Sequence, residues 1–205
     1  MAYRETESVR ARKAAQRRHL LVCAEQLVRD GGFANLTMQT LADRAGVGVG
    51  TLYRYFDNKG GLAAEVFRRA TEREVAAVAQ AMEQGVSVAE RLTHVLQDFV
   101  RRAQAAPTLA WSLIAEPVDP EVDVERLRYR QRYAGLYQSL LDQGVADGEL
   151  PRQDTAVVAA AMVGAIAESL VGPLAAPLPK AGLADALLVF CLRAIGLIPA
   201  QGTPL

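Results

Sequence analysis

Apolar residues recur every three or four positions along almost the whole chain. That is the period of an amphipathic helix, and no stretch alternates as a half-buried strand would. An all-α fold is expected. A first helix spans about residues 7–30, with Leu20, Leu21, Ala24, Leu27 and Val28 along its inner face, and Gly31 and Gly32 stop it. Thr37 caps a short helix that turns Leu41, Ala42 and Ala45 inward. Gly46 breaks that helix and Val47 plugs the turn. A second short helix begins near Val49, carries Leu52 and Phe56 inward and ends near Phe56. Asp57 or Asn58 then caps a long helix that reaches about Gln84 and is closed by Gly85.

The rest of the chain continues in the same period. Ser87 caps a helix to about Ala105, with Leu92, Val95, Leu96, Phe99 and Val100 inside, and Pro107 breaks it. A short helix over about 109–115 follows. Asp119 as cap, Pro120 at the first helical position and acids in the first turn open a helix to about Val145. Its expected inner residues are Val124, Leu127, Tyr133, Tyr137, Leu140 and Leu141. Asp154 caps residues 155–172, apolar nearly all round; a Pro-rich connector covers 173–182, and a last, almost wholly apolar helix covers 183–198. A helix apolar on every side must be buried on every side. Two of them point to burial in a partner as well as in their own core.

Residues 37–62, TMQTLADRAGVGVGTLYRYFDNKGGL, are the most informative stretch. Two short helices separated by a glycine turn meet at a steep angle, so one can enter a DNA major groove while the other crosses the backbone. Thr37 and Thr51 stand near helix N-termini, where hydroxyls and free amides meet a phosphate. Tyr53 and Tyr55 can donate phenol protons to phosphate oxygens or serve as core aromatics. Lys59 opens the long helix beside its free amides, a phosphate clamp in outline. Arg54 lies off the Leu52/Phe56 face and can reach a base edge or a phosphate. Gly50 and Val49 begin the second helix, and Val49 can offer only an apolar contact, for instance to a thymine methyl. Gly46, Gly48 and Gly50 mimic a phosphate loop, but no strand precedes them and no Gly-Lys-Ser/Thr follows, which argues against a nucleotide site.

The run Leu41-Ala42-x-x-Ala45-Gly46-Val47, then Gly50-Thr51-Leu52-Tyr53-x-Tyr55-Phe56 and Lys59, resembles the TetR family of transcriptional regulators. The close resemblance covers about residues 15–62. It implies a three-helix DNA-binding domain over 1–57, a ligand-binding and dimerisation domain over 58–205, and a homodimer built on a four-helix bundle. It also implies phosphate-contact roles for Tyr53, Tyr55 and Lys59. There are departures. Relatives often carry Ser-Lys where this chain has Gly48-Val49, and acids where it has Gly60-Gly61.

Charge sharpens the picture. The formal net charge is zero, yet residues 1–60 hold ten Lys/Arg against six Asp/Glu, and the remainder thirteen against seventeen. A positive front and a negative rear suit a protein that turns one face to phosphates. Arg10, Arg12, Lys13, Arg17 and Arg18 form either a solvated helix face or an arm into a flanking groove. Cys23 and Cys191 sit in apolar helical runs and read as small buried hydrophobes of a reducing compartment. With only two histidines besides, no metal site, cofactor or catalytic constellation is expected. The charged N-terminus is no secretory signal, and the longest uncharged run, 155–167, is too short to span a bilayer. A soluble, cytoplasmic protein that acts on double-stranded operator DNA is expected.

The C-terminal body is larger than a dimer clamp requires. Phe99, Trp111, Tyr133, Tyr137 and Met162, with Glu116 as a polar anchor, are candidate ligand contacts in an apolar cavity or plain core residues. An apolar or aromatic small molecule is the expected ligand. Ala160 and Gly164, small residues one turn apart, and Leu187, Leu188, Cys191 and Ile195 are the expected dimer seam. The alternative function is a helical small-molecule-binding or adaptor protein whose helix-turn-helix is only structural.

Overall fold

The computed structural model describes residues 7–175 and 181–197; part of the Pro-rich connector and the end of the last expected helix lie outside them. The described chain is helical, with no strand: α1 (Glu7–Gly31), α2 (Met38–Ala45), α3 (Val49–Leu52), α4 (Lys59–Met82), α5 (Val88–Ala105), α6 (Pro107–Ile114), α7 (Pro120–Ala146), α8 (Thr155–Ala175) and α9 (Leu183–Ala194). A 3-10 turn, Phe33–Asn35, joins α1 to α2.

Local chemistry sets these limits. The Thr37 hydroxyl accepts from the Thr40 amide and Thr40 returns the bond to the Thr37 amide, closing a capping box on α2. Gly46 ends α2 at φ 66°, a left-handed conformation that other residues adopt only with strain, while a side chain there would meet no neighbour. Asn58 caps α4 through the Gly61 amide at 2.7 Å. Ser87 and Glu90 box the start of α5, and Pro107 and Pro120 take first-turn positions in α6 and α7.

Three elements differ from expectation. α3 stops at Leu52, because the Tyr55 and Phe56 amides both turn back to the Leu52 carbonyl, each at 2.9 Å, and the chain tightens there. α8 runs through Pro173 to Ala175, the proline ring falling in its last turn. The front of α7 is rotated from the expected phase, while Tyr133, Tyr137, Leu140 and Leu141 face the core as expected. Val124 and Leu127 are 65% and 61% exposed, and Val122, Glu125 and Tyr129 point inward instead.

The core falls into three clusters. The first gathers α1, α2, α3 and the front of α4 around Leu20, Leu41, Leu52, Phe56 and Leu62, and reaches Val122 and Tyr129 of α7. Phe33, Phe67 and Tyr129 form an aromatic chain across this junction, with ring centroids 6.3 and 6.0 Å apart. The second joins α4, α5, α7, α8 and α9 around Leu92, Leu96, Leu141, Met162, Cys191 and Ile195, and the third holds Val100, Leu170 and Leu187. α4 contributes Leu62 and Phe67 to the first cluster and Val78 and Ala81 to the second. α4, which starts just after residue 57, thus carries residues of both cores. Arg17 with Glu65, and Glu25 with Arg69 and Arg73, tie α1 to α4 by ion pairs.

The expected dimer residues divide. Leu187, Cys191 and Ile195 are buried in the chain's own core, so they cannot face a second copy without unpacking it. Leu188 is half-buried against the same core. Ala160 and Gly164 are exposed, as are Val157 on α8 and Phe190 on α9. By length and composition α8 would suffice to cross a membrane, yet only 28% of its apolar window is buried within the chain. Both cysteines are free and buried in different clusters, and burial pushes the Cys191 thiol up to about 11.

Candidate functional site

The α2–α3 unit presents a narrow polar edge on an apolar base. Leu52 and Phe56 are buried beneath it, and Val49 and Tyr55 lie half-buried against the same core. Gly50, Tyr53 and Arg54 stand outward. Tyr53 is 55% exposed, an unusual position for a large ring with no solvent-facing task, and Arg54 makes no ion pair among the described residues. Nothing lies within 4 Å of where a Gly50 Cβ would stand, so another molecule can approach the bare backbone at the start of α3. Thr37 is exposed, though its hydroxyl is engaged in the cap of α2; Thr51 is half-buried. Val49 therefore supports the edge more than it forms it. Along α1, residues 7–15 are all exposed and cover no part of the core.

Lys59 lies at the end of this edge, half-exposed, but its ammonium faces backward. It meets the Asp119 carboxylate at 3.1 Å, on the residue before α7. Asp119 makes no side-chain cap bond to α7, its carboxylate being turned to Lys59. The next residue of α4 is as close: a Cβ on Gly60 would come within 2.6 Å of the Glu121 carboxyl. The only atoms so met belong to the movable end of the Glu121 side chain, so a larger residue at position 60 would displace that carboxyl and not the backbone.

Glu116 does not line the cavity. It is 7% exposed and its carboxylate accepts the amides of Phe33 and Ala34 at 2.8 and 2.9 Å. Gly32 sits at φ 75°, and a Cβ there would lie 2.7 Å from the Glu116 carboxylate, so both backbone and space require glycine. Two charge-assisted bonds satisfy the buried acid. Behind it, Arg126 donates to the carbonyls of Glu116, Ser112 and Leu113 and to Asp123. Burial draws the Arg126 guanidinium below its ordinary value, with Asp123 opposing. The end of α6 is thereby clamped to α7 on one side and to the α1–α2 junction on the other. In the sequence the only signal was an acid in apolar company.

A cavity of about 370 Å³ opens between α4, α5, α6, α7 and α8, with Arg29 of α1 at its edge. Phe67, Val78, Phe99, Leu109, Leu113, Ile114, Val163 and Ile166 give it an apolar lining, and Tyr133 and Tyr137 stand in its wall. Of the expected ligand contacts, Phe99, Tyr133 and Tyr137 line it. Met162 is 1% exposed in the second core, and Trp111 is half-buried on α6 outside the lining. Burial, with Glu74 nearby, pushes the Tyr133 phenol above its usual range, and burial does the same to Tyr137, so both stay neutral donors. Five arginines also reach the lining, unforeseen because on single helices they read as surface charge. No group of three or more metal-ligating side chains occurs among the described residues.

Residues 20–66 match the family model described as bacterial regulatory proteins of the tetR family, and residues 85–170 match the tetracyclin repressor-like C-terminal domain. The HTH-type transcriptional repressor KstR of Mycobacterium tuberculosis is 28% identical over 139 residues, which are 68% of this chain and 62% of that protein. KstR of Mycolicibacterium smegmatis is 29% identical over the same length, covering 68% of this chain and 67% of its own. The chain thus spans less than two thirds of the tuberculosis relative. Among solved structures, the transcriptional regulator FadR from Bacillus subtilis, in complex with stearoyl-CoA, superposes with a TM-score of 0.75 at 18% identity, over 87% of this chain and 98% of that one. At that identity the likeness is one of fold.

Proposed function

Because the chain belongs to the TetR family of transcriptional regulators, we propose that it is a cytoplasmic, ligand-responsive repressor that acts as a homodimer on operator DNA. The exposed Gly50–Tyr53–Arg54 edge enters the major groove. Thr37, Thr51, Tyr53, Tyr55 and Lys59 hold phosphates that flank it. The exposed apolar faces of α8 and α9 pair with those of a second copy. A small molecule in the cavity changes the separation of the two reading edges and releases the DNA. The names of the two KstR relatives support repression, and the bound stearoyl-CoA of FadR supports a ligand in the C-terminal body.

One observation carries this reading. α4 starts at the reading edge with Lys59 and lines the cavity with Phe67, Thr71, Glu74 and Val78. A ligand that shifts α4 must shift the edge. It moves the equilibrium only by its differential affinity for the two arrangements, and a coupling of about 1–3 kcal/mol loosens DNA about 5–150-fold. The test is to select bound genomic fragments with the purified chain, then measure operator affinity with and without cavity ligands. A salt-dependent, sequence-selective complex that a ligand weakens is expected. A chain that shows no sequence preference at any salt concentration is not this regulator.

A further inference from the structure

The cavity is apolar, yet its walls carry Arg29, Arg101, Arg102, Arg126 and Arg130 against one acid, Glu74. These arginines are unequally engaged. Arg126 is held by Asp123 and three carbonyls, and Arg101 pairs with Asp98 at the surface. Arg102 gives its Nε to Glu74 at 3.0 Å, but its Nη2 is buried with no hydrogen-bond partner. A buried guanidinium nitrogen without an acceptor is costly, and a turn of the guanidinium toward the cavity would pair it with an oxygen placed there. Arg130 and Arg29 are exposed and make no ion pair among the described residues. Arg126 and Arg130 stand one turn apart on α7, like charges that an anion between them would relieve. Tyr133 and Tyr137 make no hydrogen bond among the described residues, leaving two phenol donors in the cavity wall.

We propose that the cavity takes an amphipathic anion: an apolar body lodged among Phe67, Phe99 and Ile166, and a carboxylate or phosphate head held by Arg102 with Arg130 at the rim. The inference rests on the regulator reading only for its consequence at the operator, not for binding itself. A neutral apolar ligand would leave the Arg102 Nη2 dry and unpaired, and a cation would meet five arginines. The shared chemistry has two sources, a free acid and an acyl thioester of a phosphorylated carrier. A free acid places its head against Arg102 alone. A thioester places phosphates at the rim and draws on Arg130 as well.

The experiment titrates the full chain calorimetrically with dodecanoate, dodecanoyl-coenzyme A, dodecanol and dodecyltrimethylammonium. At least one anion should bind about ten-fold or more tightly than the alcohol, and the ammonium should not bind. Arg102→Gln should abolish the free acid's advantage over the alcohol when both are titrated on the same variant. Arg130→Gln, on an exposed helix face where folding is not at stake, should weaken the thioester and spare the free acid. Equal binding of anion and alcohol, or an anion preference that survives both substitutions, overturns the proposal. Operator affinity is read in parallel. If neutral compounds release the operator and anions do not bind, the regulator reading stands and this inference falls. If anions bind through Arg102 and operator affinity never changes, this inference stands and release of the operator through this cavity falls.

Discussion

Lys59 stands between two anions. In the free protein its ammonium meets Asp119, and both side chains are more than a third exposed. An ion pair so open to water contributes only about 0–1 kcal/mol, so a DNA phosphate can compete for the lysine. Lys59→Ala should weaken binding to all sequences alike and lower the salt slope by about one. Asp119→Asn should do the reverse, tightening DNA binding by up to about five-fold, since it frees the lysine at little structural cost. Electrophoretic shifts over a salt series check both, and an unchanged slope in Lys59→Ala removes the lysine from the interface. Arg54 answers a different question. It is exposed in the turn just beyond the one-turn α3 and has no ion pair among the described residues to lose. If it reads a guanine, Arg54→Ala should cost about 1–3 kcal/mol on the operator and relax preference at one position per half-site. An equal loss on random DNA makes it a phosphate contact. The reading edge was legible in the sequence because its residues are neighbours in the chain. Glu116 was not legible in its role, since its partners, the Phe33 and Ala34 amides, lie more than eighty residues away.

At the scale of elements, the caps announced the helices. Thr37, Asn58, Ser87 with Glu90, and Pro120 each mark a start where one is found, because the chemistry that satisfies free helix amides is local, whereas Pro107, which reads as a breaker, itself opens α6. The face of α7 was harder. Its core positions include Glu125 and Tyr129, polar residues that an apolar count passes over. Arg68 pairs with the Glu125 carboxylate at 2.9 Å, and the Tyr129 hydroxyl donates to Glu72, so both are admitted to a packed junction while Val124 and Leu127 turn outward. The cavity was illegible for a related reason: six helices supply its walls, and no periodicity reports which helices converge. Besides α4, α6 offers a second connection between the cavity and the DNA-binding domain. Its last carbonyls are gripped by cavity-lining Arg126, and the residue two beyond it, Glu116, grips the α1–α2 junction. Glu116→Gln keeps one acceptor oxygen for two amides. Leaving a buried amide unpaired costs about 1–3 kcal/mol, so the thermal midpoint should fall by several degrees. If α6 carries the signal, a cavity ligand should bind this variant as before but release the operator less. Unaltered ligand-induced release would leave α4 as the sole connection.

For the whole molecule, the exposed apolar surface decides how copies assemble. α8 shows Val157, Ala160 and Gly164 to solvent, and α9 shows Phe190, while Leu187, Cys191 and Ile195 are spent on the intramolecular core. The sequence pattern could say that α8 and α9 are apolar all round; it could not say which side each gives to its own chain. The two sides make opposite predictions. Phe190 is 51% exposed, so Phe190→Glu should leave the thermal midpoint of the isolated chain nearly unchanged yet abolish pairing. Gly164→Arg should act likewise, because nothing within 4 Å would crowd the new side chain in the monomer and a close helix partner would. Ile195→Glu buries an unpaired charge instead, and should unfold the chain rather than split a dimer. Sedimentation at micromolar concentration separates these outcomes. A dimer is expected for the parent and for Lys59→Ala, a folded monomer for Phe190→Glu and Gly164→Arg. The folded monomers should also lose the operator, since two reading edges held about one helical turn apart, roughly 34–36 Å, must bind together for full affinity. A parent chain that sediments as a monomer, or a Phe190→Glu chain that still dimerises and binds the operator, places the seam elsewhere.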